Sequence, residues 1–419
     1  MNTTKRAGDN TMNTTKNTIR LGLAGVGARC RENAKLIANM ENVEITAIAD
    51  THIPSTEQML ELLAGENCHP KVYTDYHQLL TSGLVDAILI QTGWENHISI
   101  AIDAMEQGVA VGMEVGGAYD VQQCWELVNA WERTKTPFMF MENCCYGRYE
   151  LMVLNMVRQG LFGEIVHCDG CYGHDLRQLL SRSWHYRHTN YVARNGETYP
   201  SHEIGPISKV LNINHGNRFL TINSVASKAA GLRAYIQQNH SDDPHLMNVR
   251  FNHGDVITSI IKCANGETIN LKLDTTLPRF YSRGFSVHGT KALYNDDTRS
   301  LIFDGKYEEN WADLTDHWRS ADEVLETYDH PIYKKYLQQG VNGGHGGMDG
   351  LCYCAFFDAL INNHPMPLDV YDAAAWLVIT PLSEQSVAMG GAPVAFPDFT
   401  RGKWMYNTPV ENAGPYNLN

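Results

Sequence analysis

The stretch from Thr18 to Asp50 constrains the fold more than any other part of the chain. Thr18-Ile-Arg-Leu-Gly-Leu-Ala24 is a short apolar run that leads directly into Gly25-Val26-Gly27-Ala28-Arg29-Cys30. That order predicts strand, tight turn and helix. Gly25 and Gly27 permit the turn and let backbone N–H groups approach a phosphate, where the helix N-terminus adds positive potential. A second strand, Val43 to Ala49, ends at Asp50, about twenty residues past the turn. A carboxylate there accepts hydrogen bonds from ribose hydroxyls and repels a 2′-phosphate, so the pattern predicts NAD rather than NADP.

Two glycines say little alone, because such turns are common. Their context says more. A helical stretch, Ser55 to Leu63, and strands at Val85 to Gln91 and Val109 to Met113 continue the alternation of a doubly wound parallel sheet. This defines a Rossmann domain over residues 18–142. Strand ends in such sheets face the ligand crevice, which places Trp94-Glu95-Asn96-His97 and Glu114-Val115 beside the nicotinamide half. His97 reads either as a helix cap or as a cofactor contact.

After residue 143 the rhythm changes. A helix from Arg148 to Gln159 is followed by strand patterns at Glu164 to Tyr172, Thr221 to Ala226, Val249 to Phe251, Val256 to Cys263, Thr268 to Thr275 and Arg283 to His288. Residues 143–419 are therefore expected to form an α+β domain with an open, largely antiparallel sheet. An open sheet face exposes apolar surface unless covered, so a homo-oligomer is expected. The segment Gly343 to Asp349 reads either as a flexible polar loop near the substrate or as a helix N-cap, since Asp349 precedes an apolar helix, Leu351 to Ile361.

The 419 residues exceed one compact core, and 43% hydrophobic with 19% charged residues is ordinary globular composition. A net charge of −14 disfavours nucleic acid, which is bound through clustered Lys and Arg. A neutral or cationic small substrate fits better. No apolar run is long enough to span a bilayer, so no membrane is expected. Residues 1–17 are polar, repeat Met-Asn-Thr-Thr-Lys at 1 and 12, and contain no apolar signal core; a disordered tail and a cytoplasmic location are expected. The ten cysteines sit in apolar segments and read as reduced core thiols. Cys168-Asp-Gly-Cys171 has a zinc spacing but no second pair, and no metal is expected.

A Rossmann domain followed by an open sheet resembles the glucose-fructose oxidoreductase and inositol dehydrogenase superfamily. Seven motifs resemble, more closely, glycoside hydrolase family 109, which includes NAD-dependent α-N-acetylgalactosaminidases. They are Glu142-Asn-Cys-Cys-Tyr-Gly-Arg148, Gly160-Leu-Phe-Gly-Glu-Ile-Val-His-Cys168, Tyr172-Gly-His-Asp-Leu-Arg177, Tyr199-Pro-Ser-His-Glu-Ile-Gly-Pro206, Tyr281-Ser-Arg283, Asp329-His-Pro331 and Gly343-Gly-His-Gly-Gly-Met-Asp349. The resemblance implies NAD contacts at Arg29, Cys30, Asp50, Trp94 to His97, Glu114, Val115 and Asn143. It implies sugar contacts at Tyr172, Arg187, Tyr199, Pro200, Ser201, His202 and Tyr281. Cys30, Ser201 and Gly116 depart from the family's usual glycine, threonine and proline. Where the superfamily's dehydrogenases carry Glu-Lys-Pro, Glu114 is followed by Val115, which agrees with the glycosidase branch.

The chemistry the resemblance implies is oxidation of the sugar at C3, elimination of the aglycone after loss of the C2 proton, addition of water, and reduction, with terminal N-acetylgalactosamine as the first substrate expectation. Such a cycle needs positioned proton carriers. His202, Tyr172 and His174 are the candidates. Tyr172 and His174, two apart on a strand, should share a face, and Arg187 should lower the phenol's pKa. A sugar dehydrogenase on the same scaffold and a non-catalytic nucleotide sensor are the alternatives.

Overall fold

The computed structural model describes residues 18–305, 318–408 and 410–419. The expected tail, residues 1–17, lies outside them. The first sheet contains β1 (Ile19–Ala24), β2 (Val43–Ala49), β3 (Lys71–Tyr73), β4 (Ala87–Ile90), β5 (Ala110–Met113) and β6 (Phe138–Phe140). All are parallel, in the order β3-β2-β1-β4-β5-β6. Strands β4, β5 and β6 are buried throughout, as strands covered on both faces must be. Helices α1 (Ala28–Ala38), α2 (Ile53–Ala64) and α3 (Trp94–Glu106) follow β1, β2 and β4. The strand order reverses between β1 and β4, which opens the crevice at the Gly25 turn.

After α4 (Arg148–Arg158) comes the second sheet: β7 (Ile165–Gly173), β8 (Phe219–Ala226), β9 (Val256–Cys263), β10 (Thr268–Asp274), β11 (Ser286–Gly289), β12 (Ala292–Asn295), β13 (Ser300–Phe303), β14 (Trp318–Ser320) and β15 (Val394–Ala395). Its order is β14-β13-β12-β11-β7-β10-β9-β8-β15. Among the described residues only the central β7–β10 pair of this sheet is parallel; the other neighbours run antiparallel.

Two expected strands differ. Val249 to Phe251 is not a strand, because the N–H groups of Asn252 and His253 both turn to the Tyr191 carbonyl and draw the segment away from any ladder. The strand expected from Arg283 begins only at Ser286. Before it, Arg283 and Ser282 still bond β7, but Gly284 at φ +54° breaks the extended backbone.

Alternation sets the sheet's faces. In β9, Ile257, Ser259, Ile261 and Cys263 are buried while Ile260 is exposed. The inner face is covered by α6 (Ser201–Val210), which follows α5 (Tyr186–Ala193). Helix and sheet approach so closely that a β-carbon on Gly170 would lie 2.6 Å from Glu203 Cβ. The outer face presents Val225 and Ile260. Beyond α7 (Gly231–Asn239), helices α8 (Met348–Asn362) and α9 (Val370–Leu377) return to the first sheet, where Phe140 N–H donates to the Leu368 carbonyl. No helix among the described residues is long and apolar enough to cross a membrane.

Candidate active site

The Gly25 turn is shaped for a dinucleotide. Gly25 has φ +82°, and a β-carbon there would lie 2.7 Å from the Gln91 backbone. A β-carbon on Gly27 would meet nothing within 4 Å. Gly27 begins α1 without a side-chain cap, so the first-turn N–H groups are open to an anion. Asp50 Oδ2 accepts from Val26 N–H and Oδ1 from His52 N–H, both at 2.8 Å. The carboxylate is thereby fixed beside the turn, where ribose hydroxyls would lie. This cradle and its donor set fit NAD.

Cys30 lies beneath the turn, fully buried, and burial pushes its thiol up to about 12. It packs helix against sheet. His97 does not cap α3, whose N-cap is Gly93. Its buried Nε2 instead tethers the Thr92 carbonyl at 3.0 Å, and burial lowers its pKa. Glu95 and Asn96 face outward beside it.

Arg29 links the turn to the C-terminal helices. Its Nε donates to Glu114 Oε1 at 2.7 Å, and its two terminal nitrogens grip Asp349 at 2.8 and 2.9 Å. Asn143 and His345 converge on the same carboxylate at 2.7 and 2.9 Å. Burial alone would raise the Asp349 pKa, but His345 and Arg29 hold it well below the usual carboxylate range. Asp349 is therefore not the expected N-cap: α8 begins at Met348, capped by Gly347. Val115 N–H folds back onto Glu114 Oε2 at 2.7 Å.

Next to this half lies an aromatic and cationic cluster. Tyr172 and Tyr199 have ring centres 4.5 Å apart, and His202 lies 5.6 and 4.9 Å from them. Trp94, at the start of α3, stacks on Tyr199 at 5.5 Å with planes 25° apart. Arg187 lies 4.8 Å from the Trp94 ring and 4.6 Å from that of Tyr199. His174 is 6.1 Å from Tyr172 and 5.3 Å from Tyr281. Pro200 is the N-cap of α6 and Ser201 its first residue. The predicted sugar-site side chains thus come together from β7, α5, α6 and the loop after β10.

One expectation fails: Tyr172 has a raised pKa, not a lowered one, because burial outweighs Arg187. The phenol of Tyr199 is likewise pushed up by burial. Both phenols therefore hold their protons more tightly than a free tyrosine does.

Sequence reasoning missed the partner of His202. Nδ1 of His202 lies 2.8 and 3.0 Å from the two oxygens of Glu142, a fully buried carboxylate 60 positions away. Burial opposes the charge on Glu142, but His202, Ser201 and the Cys144 N–H hold its pKa below the ordinary value. With Nδ1–H committed to Glu142, Nε2 faces the Tyr199 hydroxyl at 3.4 Å. Cys144 Sγ approaches Glu142 and His202 within 4.8 Å, but burial pushes its thiol far up and keeps it protonated. Cys168 and Cys171 are buried on β7, three apart and so on opposite faces, unsuited to one metal. Also missed were Glu203 and Glu197, buried behind the cluster. Neither Glu203 oxygen has a partner among the described residues, and burial raises both carboxyls, Glu197 to about 8.

Residues 146–406 match the glycosyl hydrolase 109 C-terminal domain, and residues 19–141 match the oxidoreductase-family NAD-binding Rossmann fold. An alpha-N-acetylgalactosaminidase of Tannerella forsythia is 38% identical, covering 94% of this chain and 88% of its own. A glycosyl hydrolase family 109 protein of Parabacteroides distasonis is 40% identical over 93% of this chain and 89% of its own. A levoglucosan dehydrogenase solved with NADH and levoglucosan shares the fold, at TM-score 0.70 and 16% identity, over 91% of this chain and all of that one. The chain belongs to glycosyl hydrolase family 109, a glycosidase built on an NAD-binding Rossmann domain.

Proposed function

We propose that this glycosidase is exo-acting and releases terminal N-acetylgalactosamine, with His202 as the proton carrier at the sugar's C2. The similarity to the Tannerella forsythia enzyme supports the sugar. The pairing of His202 with buried Glu142, under Tyr172 and Tyr199, carries the proposal for the residue. Residues 18–142 supply most of the cofactor contacts and 143–419 the sugar contacts, with Asn143 at the boundary reaching the cofactor. The Gly25–Gly27 turn, Arg29, Asp50, Trp94, Glu95, Asn96, Glu114, Val115 and Asn143 would hold NAD, with Cys30 and His97 supporting them from below.

When bound, NAD supplies a reversible hydride acceptor for the sugar. Glu142 fixes the His202 tautomer so that Nε2 can take a proton, and a carboxylate behind an imidazole stabilises the imidazolium that forms. Tyr172, neutral and buried, donates a hydrogen bond to a sugar oxygen. Arg187, between Trp94 and Tyr199, closes the site's wall and keeps water out. His174, whose pKa is lowered chiefly by burial, and exposed Tyr281 border the entrance. The ten thiols, all free and mostly buried, fit a reducing cytoplasm. The exposed apolar sheet face fits a homo-oligomer.

Turnover of a nitrophenyl N-acetylgalactosaminide in deuterium oxide tests the reading. Deuterium at C2 of the released sugar, or slower turnover of a C2-deuterated substrate, is the expected result. If neither appears, direct hydrolysis by paired carboxylates replaces it.

A further inference from the structure

A cavity of about 530 Å³ opens beside α7, and none of the catalytic or cofactor residues lines it. Its volume falls in the range of small-ligand sites. Tyr191, stacked on His253 at 4.2 Å with planes 22° apart, and Phe251 supply aromatic walls. The polar groups around it are unbalanced. Arg233 and Arg250 both line the cavity as exposed residues, and neither side chain has an ion-pair or hydrogen-bond partner among the described residues. The backbone N–H groups of Arg250 and Phe251 have no partner among them either. The single carboxylate, Asp255, is already saturated: it accepts from Ala230 N–H, Gly231 N–H and the Thr276 hydroxyl at 2.7 to 3.0 Å. His253 is held neutral by burial, its pKa lowered to about 4.

A cavity with free donors, free guanidinium groups and a fully occupied carboxylate wants an acceptor-rich, negatively charged ligand. In a chain of net charge −14, two unpaired arginines at one cavity are a local exception. Aromatic walls suit the apolar face of a sugar ring. We infer that this cavity is a second binding site, for an acidic sugar whose carboxylate or sulfate is held by Arg233 and Arg250. The choice of a sugar rests on the glycosidase reading above; the choice of an anion does not. Tyr191 and Arg187 stand four residues apart on one face of α5, so the cavity and the catalytic site share that helix.

The test is calorimetric titration of the NAD-saturated enzyme with glucuronate, galactose 6-sulfate and, as the neutral control, galactose. At least one acidic sugar should bind, galactose should bind about tenfold or more weakly, and the double variant R233Q/R250Q should lose that difference, the scale of a charge-assisted contact. Glucuronate alone would mark a carboxylate site and the sulfate alone a sulfate site. The double variant should hydrolyse the nitrophenyl substrate at the wild-type rate. The inference is overturned if neither acid binds at millimolar concentration, if galactose binds as well, or if the double variant binds like wild type. These titrations read binding without turnover, so their failure is distinct from failure of the glycosidase reading.

Discussion

Trp94 and Gly116 are matched to each other: a β-carbon at position 116 would lie 2.2 Å from Trp94 Cδ1. The family's usual proline there would collide with the indole, and Trp94 is the residue that stacks on Tyr199 and borders Arg187. Gly116→Ala should force the indole aside at a cost of about 1–3 kcal/mol, the scale of overpacking. Steady-state kinetics should show a raised KM for the nitrophenyl substrate. Unchanged kinetics with unchanged thermal stability would show that the ring has room.

Asp50 should make the enzyme prefer NAD. Its carboxylate is pinned beside the turn by Val26 and His52 N–H groups, so it cannot swing away from a 2′-phosphate. Calorimetry should show NAD binding much more tightly than NADP, and Asp50→Ala should weaken NAD about tenfold while narrowing the gap. Equal affinities in the wild type would remove Asp50 from the ribose site.

The Rossmann half was legible because its determinants are local: Gly25, Gly27 and Asp50 act within one strand-turn-helix-strand unit. The sugar-site residues Tyr172, Tyr199 and His202 were legible only through family motifs, since nothing in their spacing says that β7 meets α6. Glu142, 60 positions from His202, and Asp349, 320 from Arg29, carry no local signal as partners. Asp349 also stands just ahead of an apolar helix, which imitates a cap. Val249 to Phe251 has strand-like residues, but the Tyr191 carbonyl takes the neighbouring N–H groups, a tertiary contact that overrides propensity.

The buried acids predict a pH effect on stability. A carboxyl with a raised folded pKa keeps its proton in the folded chain where the unfolded chain has released it. The folded state therefore loses stability as pH rises from the ordinary value of 4.5 toward about 8, the value to which Glu197 is pushed. Glu203, raised by burial and by Glu197, adds to the loss. Glu203→Gln should flatten the decline in urea unfolding measured across this window. A slope identical to wild type would mean that Glu203 is not protonated alone in the fold.

The outer sheet face should mediate assembly. Val225 and Ile260 are each more than half exposed in the single chain, on neighbouring strands β8 and β9. Light scattering at micromolar concentration should give a mass above that of one chain, and Ile260→Lys should lower it. A monomeric wild type would contradict this.

The dependence of His202 on Glu142 gives the most direct test of the chemistry. His202→Ala should leave NAD affinity nearly intact and cut turnover by roughly 10²-fold or more, the scale of losing a positioned acid or base. Glu142 does not touch the sugar in this reading; it positions the imidazole and stabilises its charged form. Glu142→Gln keeps an acceptor for Nδ1–H but removes the charge, so turnover should fall substantially with KM little changed, and Glu142→Asp should recover part of the loss. Residues that act as a unit are not additive. The double variant H202A/E142Q should therefore be no slower than His202→Ala alone. Additive losses, or loss of NAD binding in either single variant, would make the pair a structural tie between Glu142 and α6, and the proton carrier would then have to be sought at His174.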